Sequence, residues 1–122
     1  MKKLLLSVLF GCLACCAIGA APVDVVRLRV ENLDAPLGID TAEPRFSWML
    51  TSDKKGVLQT GYHIIVSSDR GEVWNTGRVE SREQLWIPYR GPQLKSGQHL
   101  TWRVKVFTNK GDTGWSAGQH FS

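Results

Sequence analysis

The chain has 122 residues, with 15 Lys and Arg against 11 Asp and Glu and three cysteines. That length suits one small domain after a leader and leaves no room for a large catalytic barrel. The basic residues are scattered, which excludes the concentrated stripe of a nucleic-acid binder and reads as a solvated surface.

Residues 1–20 read as a secretory signal. Lys2 and Lys3 form a short positive start, and Leu4 to Ile18 is an apolar run broken only by Ser7 and Gly11. The run is too short, and wrongly flanked, for a membrane span. Cleavage is expected after Gly19 or Ala20, which gives a mature domain over 21–122. Without Lys2 and Lys3 the 15 basic residues fall to 13 against 11 acidic, a net charge of +2. Cys12, Cys15 and Cys16 all lie in the leader, so the mature chain holds no disulfide and no thiolate site. A lipid anchor would need a matched lipobox. Cys12 follows Leu9-Phe10-Gly11 and Cys15 follows Cys12-Leu13-Ala14, and neither run fits well. The expectation is therefore export to the periplasm or beyond, without an anchor and without a membrane span in the mature chain.

The mature sequence predicts strands and almost no helix. Val26, Leu28 and Val30 alternate with Arg27, Arg29 and Glu31, the period of a half-buried strand. Asp34 to Pro44 is a long polar segment in which Leu37 and Ile39 are expected to tuck under the sheet. Phe46, Trp48 and Leu50 then alternate with Ser47 and Met49. Tyr62, Ile64 and Val66 alternate with His63, Ile65 and Ser67, and the two apolar faces predict a central strand. Val73-Trp74-Asn75 is a short strand. Leu85, Ile87 and Tyr89 form the fifth, which Pro88 marks as ending or lying at an edge. Leu100, Trp102, Val104 and Val106 give the cleanest alternation, and Gln119 to Ser122 would close the fold. Turn residues such as Gly56, Gly71, Gly97 and Gly111 separate these runs. About seven short strands at this spacing predict an all-β, immunoglobulin- or fibronectin III-like antiparallel sandwich.

The strand order and the run from Leu94 to His99 resemble a fibronectin type III domain. More specifically, PLGID (36–40), PRFSW (44–48), QTGYHIIV (59–66), VWNTGRV (73–79), PYRGPQL (88–94), WRVKVF (102–107) and GWS (114–116) resemble the N-terminal sandwich of bacterial α-L-rhamnosidases. One departure concerns the tyrosine that pins the corner before the sixth strand in fibronectin-like domains. Leu100 stands at that position, so that corner hydrogen bond is expected to be missing. The resemblance implies a parent enzyme that hydrolyses terminal α-L-rhamnose from plant glycans with inversion. It also implies that the acting carboxylates belong to a later (α/α) barrel, so no catalytic residue transfers to this sequence.

The residues themselves agree with a non-catalytic reading. An inverting hydrolase needs two carboxyl groups roughly 6.5–9.5 Å apart across a pocket. Asp40 and Glu43 fall in a loop beside Pro44, and Asp69 and Glu72 flank a turn glycine. His63, His99 and His120 have no metal-ligand spacing, and no glycine-rich phosphate loop is present, so neither metal nor cofactor is expected. Trp48 and Trp102 belong to the core by phase, and Trp115 is expected to pack over the sandwich end. Trp86, with Tyr89 and Trp74 as secondary candidates, is the expected domain-docking surface, since exposed apolar groups mark partner contacts. The functional expectation is a monomeric, non-catalytic N-terminal domain whose partners are the downstream domains of an exported α-L-rhamnosidase. The alternative is a free-standing exported carbohydrate-binding or adhesive fibronectin-like module.

Overall fold

The computed structural model describes residues 22–34, 43–95 and 97–122. The expected leader with its cysteines, the Leu37–Ile39 tuck and Asp40 lie outside the described residues. Among those described there are eight strands: β1 (Asp24–Val30), β2 (Arg45–Thr51), β3 (Gln59–Ser68), β4 (Gly71–Asn75), β5 (Ile87–Pro88), β6 (Leu100–Thr108), β7 (Gly111–Trp115) and β8 (Gln119–Phe121). They form two antiparallel sheets. The smaller is ordered β1-β2-β5, and the larger is ordered β4-β3-β6-β7, with β8 also pairing with β6.

The larger sheet follows the sequence pattern closely. Ile64 and Val66 on β3 and Leu100, Trp102, Val104 and Val106 on β6 point inward and are buried. β3 lies between β4 and β6, as its two apolar faces predict, and Ile65 on its outer face is buried as well. β7 is an addition: Gly111 to Trp115 reads as turn sequence, yet it pairs with β6 through Thr108↔Gly111, Phe107↔Asp112 and Lys105↔Trp115. Gly111 has a φ of 113° and Gly114 a φ of 71°, both in the left-handed half of the map that glycine enters without strain.

Between the sheets the core is aromatic. The Phe46 ring lies 4.6 Å from Trp102 and meets Phe121 edge-on at 5.7 Å, and Trp48 meets Tyr62 edge-on at 5.3 Å. Such pairs add about 0.5–1.5 kcal/mol each beyond the burial itself. The Trp48 indole N–H donates to Gln59 Oε1 at 3.0 Å, and Gln59 Nε2 donates to the carbonyls of Ser81 and Glu83 at 3.0 and 2.8 Å. Gln59 thus anchors the 81–83 segment to the core and satisfies a buried indole, a role that its sequence neighbours give no sign of. The described residues contain no cysteine, so this packing and the strand ladders carry their stability.

The smaller sheet departs from simple alternation. β1 slips register against β2 between Val26 and Arg29. Arg27 sits in the bulge with a φ of 53°. A bulge inserts one residue and flips the phase of what precedes it. Val25, Leu28 and Val30 therefore reach the core, while Val26, expected inside, faces solvent.

Candidate functional site

β1 ends in a tight reversal. Val30 and Leu33 exchange backbone hydrogen bonds at 3.0 Å, with Glu31 and Asn32 between them at φ 52° and 63°. Two positive φ values in the middle of a two-residue connection have the sign pattern of a type I′ turn, for which Asn is suited and Glu is not. Glu31 is held there by β2. Arg45 donates to it twice through its side chain, at 3.0 and 2.9 Å, and once through its backbone N–H at 2.8 Å. The Arg45 hydrogen bonds hold the Glu31 carboxyl below its usual range, against the opposing effect of its partial burial.

The same guanidinium lies over the Trp86 ring, 4.3 Å from its centroid. Trp86 is half exposed and has a φ of 58°. For a bulky residue the left-handed region costs about 1–2 kcal/mol. Its neighbours fix it: Ile87 pairs with Phe46 and Pro88 with Arg45, and the N–H of Trp48 donates to the carbonyl of Gln84 at 3.1 Å. The reversed φ also breaks the expected strand phase. Leu85 is exposed together with Trp86, while Ile87 and Tyr89 turn inward.

Two of the three expected docking residues are therefore structural. Tyr89 is 1 % exposed, and Trp74 is half buried, meeting Tyr89 edge-on at 4.9 Å and stacking 6.1 Å from Phe46. They close the seam between the two sheets. The Tyr89 hydroxyl donates to the carbonyl of Pro92, and burial pushes the phenol pKa up, which keeps that proton in place. Leu100, read from sequence as standing at the corner-tyrosine position, is buried. The segment before β6 is instead tied down by Tyr89. Gly91 makes this possible, because a Cβ there would fall 2.6 Å from the Tyr89 oxygen and 2.8 Å from the Trp74 ring.

Trp115 lies elsewhere than expected. It stands on β7, on the outer face of the larger sheet and not over the sandwich end, with His63 edge-on at 4.8 Å and the Arg103 guanidinium 5.4 Å from its centroid. Phe107 on the same face carries Arg78 at 4.1 Å. The three histidines have separate surroundings: His63 Nε2 lies 2.5 Å from Asn75 Oδ1, His120 Nδ1 lies 3.1 Å from Thr101 Oγ1, and His99 is exposed. Among the described residues no group of three or more His, Cys, Asp or Glu side chains is placed to hold a metal. Glu43 is exposed and lies 3.8 Å from Arg90, while Glu72 accepts from Asn75 at 3.2 Å. Neither carboxylate faces an enclosed cleft. No helix among the described residues is long and apolar enough to cross a membrane.

What the geometry offers is a surface. Val26 and Met49 are cross-strand neighbours on the outer face of the smaller sheet, and exposed Leu85 and Trp86 precede β5 beside it. A groove of about 90 Å³ opens there, lined by Arg27, Arg29, Ser47, Met49 and Leu85 among others.

Comparison with known proteins gives one consistent result. Residues 25–122 match the family described as Rha78A-like, N-terminal immunoglobulin domain. An α-L-rhamnosidase of Streptomyces avermitilis is 37% identical over 99 residues, covering 76% of this chain and 10% of the relative. The crystal structure of a Streptomyces avermitilis α-L-rhamnosidase complexed with L-rhamnose superposes with a TM-score of 0.77 at 34% identity, over 81% of this chain and 10% of that one. The α-L-rhamnosidase structure from Dictyoglumus thermophilum gives 0.75 at 35% identity, over 80% and 12%. The chain spans about a tenth of the length of the curated relatives that it matches. On the match over 25–122 and the sandwich that carries it, this chain belongs to the Rha78A-like N-terminal immunoglobulin domain family.

Proposed function

We propose that residues 21–122 form the non-catalytic N-terminal domain of an exported α-L-rhamnosidase, with residues 1–20 as its secretory signal. The single observation behind this reading is the pairing of two facts. The family match runs over the whole sandwich, and the matched relatives are about ten times longer. The sequence thus corresponds to one domain of those enzymes. In this reading the larger enzyme releases terminal α-L-rhamnose from plant glycans, and the sandwich contributes stability and spacing to the domains beside it. The domain is monomeric until it meets those neighbours.

The test is a chimera. Residues 22–122 replace the matching tenth of the Streptomyces avermitilis enzyme, and hydrolysis of an aryl α-L-rhamnoside is assayed beside the chain alone. The chimera is expected to retain activity and the chain alone to release no rhamnose. Release by the chain alone, abolished by Glu43→Gln or Glu72→Gln, would overturn the reading. Amino-terminal sequencing of the exported product should start at Ala20 or Ala21.

A second reading, a sugar-binding module, draws on the exposure of Trp86. Against it, one face of that ring is already covered by Arg45. Titration of the chain with L-rhamnose should leave tryptophan fluorescence unchanged. A saturable change that vanishes in Trp86→Ala would favour the sugar-binding module.

A further inference from the structure

We infer that the outer face of the smaller sheet, centred on Val26, Met49, Leu85 and Trp86, is where the remainder of the parent polypeptide docks, through an apolar side chain flanked by carboxylates. This inference rests on the reading of the chain as one domain of a longer enzyme and adds the surface and the chemistry of its partner.

Apolar exposure is the first support. Val26, Leu33, Met49, Leu85 and Trp86 are exposed on or beside this sheet, whereas the larger sheet exposes only Trp115 and the flanking Leu58 among the described residues. The outward aromatics of both sheets carry a cation, Arg78 over Phe107, Arg103 near Trp115 and Arg45 over Trp86, so the uncovered apolar groups are aliphatic. Met49 and Leu85 have no such cover and line the groove instead.

The size and charge of the groove point to the partner. At about 90 Å³ it suits one inserted side chain, and a more open hollow of about 340 Å³ adjoins it across Met49. Arg27 and Arg29 line it. Arg29 is paired with Asp34 at 3.1 Å, while Arg27 has no carboxylate within ion-pair distance among the described residues. The bulge puts Arg27 on this face at the cost of a positive φ. Bulges and residues at positive φ recur at recognition sites, where they re-aim a side chain.

Position supplies the last argument. Phe121 on β8 meets Phe46 edge-on at 5.7 Å, and Phe46 follows Arg45 in β2. Chain continuing beyond β8 therefore leaves at the end of the sandwich where Glu31, Arg45 and Trp86 stack.

Oxidative footprinting tests the inference, comparing the chain alone with the chimera on the Streptomyces avermitilis enzyme. Met49 and Trp86 should label readily in the chain alone. In the chimera their labelling should fall toward that of buried Trp48 and Trp102, with Trp115 unchanged. Arg27→Glu in the chimera should restore labelling of Met49 while rhamnoside hydrolysis persists. Equal labelling of Met49 and Trp86 in both forms would overturn the docking site and leave the domain assignment standing, as would protection confined to Trp115. Protection of Met49 in the chain alone with rising concentration would assign the face to a second copy and also overturn it. A chimera that neither folds nor hydrolyses rhamnoside would contradict the domain reading, and the docking site with it.

Discussion

Every left-handed backbone position in and around the larger sheet falls on glycine, whereas the smaller sheet places Arg27, Glu31, Asn32 and Trp86 in that region. The larger sheet has long central strands, a strict inward row on β6 and aromatics capped by their own arginines. Register shifts occur in both sheets, but the smaller bulges at a non-glycine residue, has a two-residue strand, and exposes aliphatic groups without a cap beside the Arg45-capped Trp86. The difference separates two tasks. One sheet satisfies its own surface and carries the fold. The other keeps non-glycine residues at positive φ and a group of exposed apolar side chains, the features on which the docking inference rests.

The largest expected effect lies at the shared core. Trp102→Ala should destabilise the chain by about 3–5 kcal/mol in urea unfolding, the range for a large buried aromatic. A loss below about 1 kcal/mol would mean that β6 does not carry the fold. The seam between the sheets comes next. Gly91→Ala sets a methyl against the Tyr89 ring and Trp74 and should cost about 1–3 kcal/mol, as overpacking does. An unchanged urea midpoint would mean that the Tyr89 loop yields freely.

A smaller and pH-dependent effect is expected at Glu31. Its pKa is lowered in the folded state by the Arg45 hydrogen bonds. The stabilisation it brings is therefore present above the unfolded value near 4.5 and is lost as pH falls through the lower folded value. Glu31→Gln should flatten the stability profile in that acid window and leave its shape at neutral pH unchanged. An acid limb identical to that of the parent chain would remove Glu31 from the account of this sheet. The smallest effect belongs to the outer face. Met49→Ser should shift the stability of the chain alone by less than about 0.5 kcal/mol. A loss of core-like size would show that Met49 is structural and would erase the contrast between the sheets.

The larger sheet was legible because its signal is period two without interruption. Leu100 to Val106 alternate as sequence and as burial, and the doubly apolar β3 lies between two neighbours. In the smaller sheet β2 was legible in the same way, with Phe46 and Trp48 inward, but β1 and the approach to β5 were not, because two ordinary residues adopt conformations that no glycine or asparagine announces. Arg27 flips the phase of β1 and turns Val26 out, and Trp86 does the same to Leu85. Of the docking residues read from sequence, Trp86 is exposed, while Tyr89 is withdrawn into the core by its bond to Pro92 and takes Trp74 with it. Val26 went unread as a surface residue, since a period-two pattern cannot foresee a bulge, whereas Arg27 and Met49 fell on the outward phase and were read as solvated surface.

Native-state amide hydrogen exchange addresses the division between the sheets most directly. In the chain alone, the amides of β3 and β6 around Ile64, Val66, Trp102 and Val104 should exchange last, through global unfolding. Those of β1 and β5 should exchange earlier, through local opening. On joining to the rest of an α-L-rhamnosidase, β1, β2 and β5 should slow selectively while the larger sheet keeps its rates. Equal protection of both sheets in the chain alone, or slowing confined to β6 and β7 on joining, would contradict it.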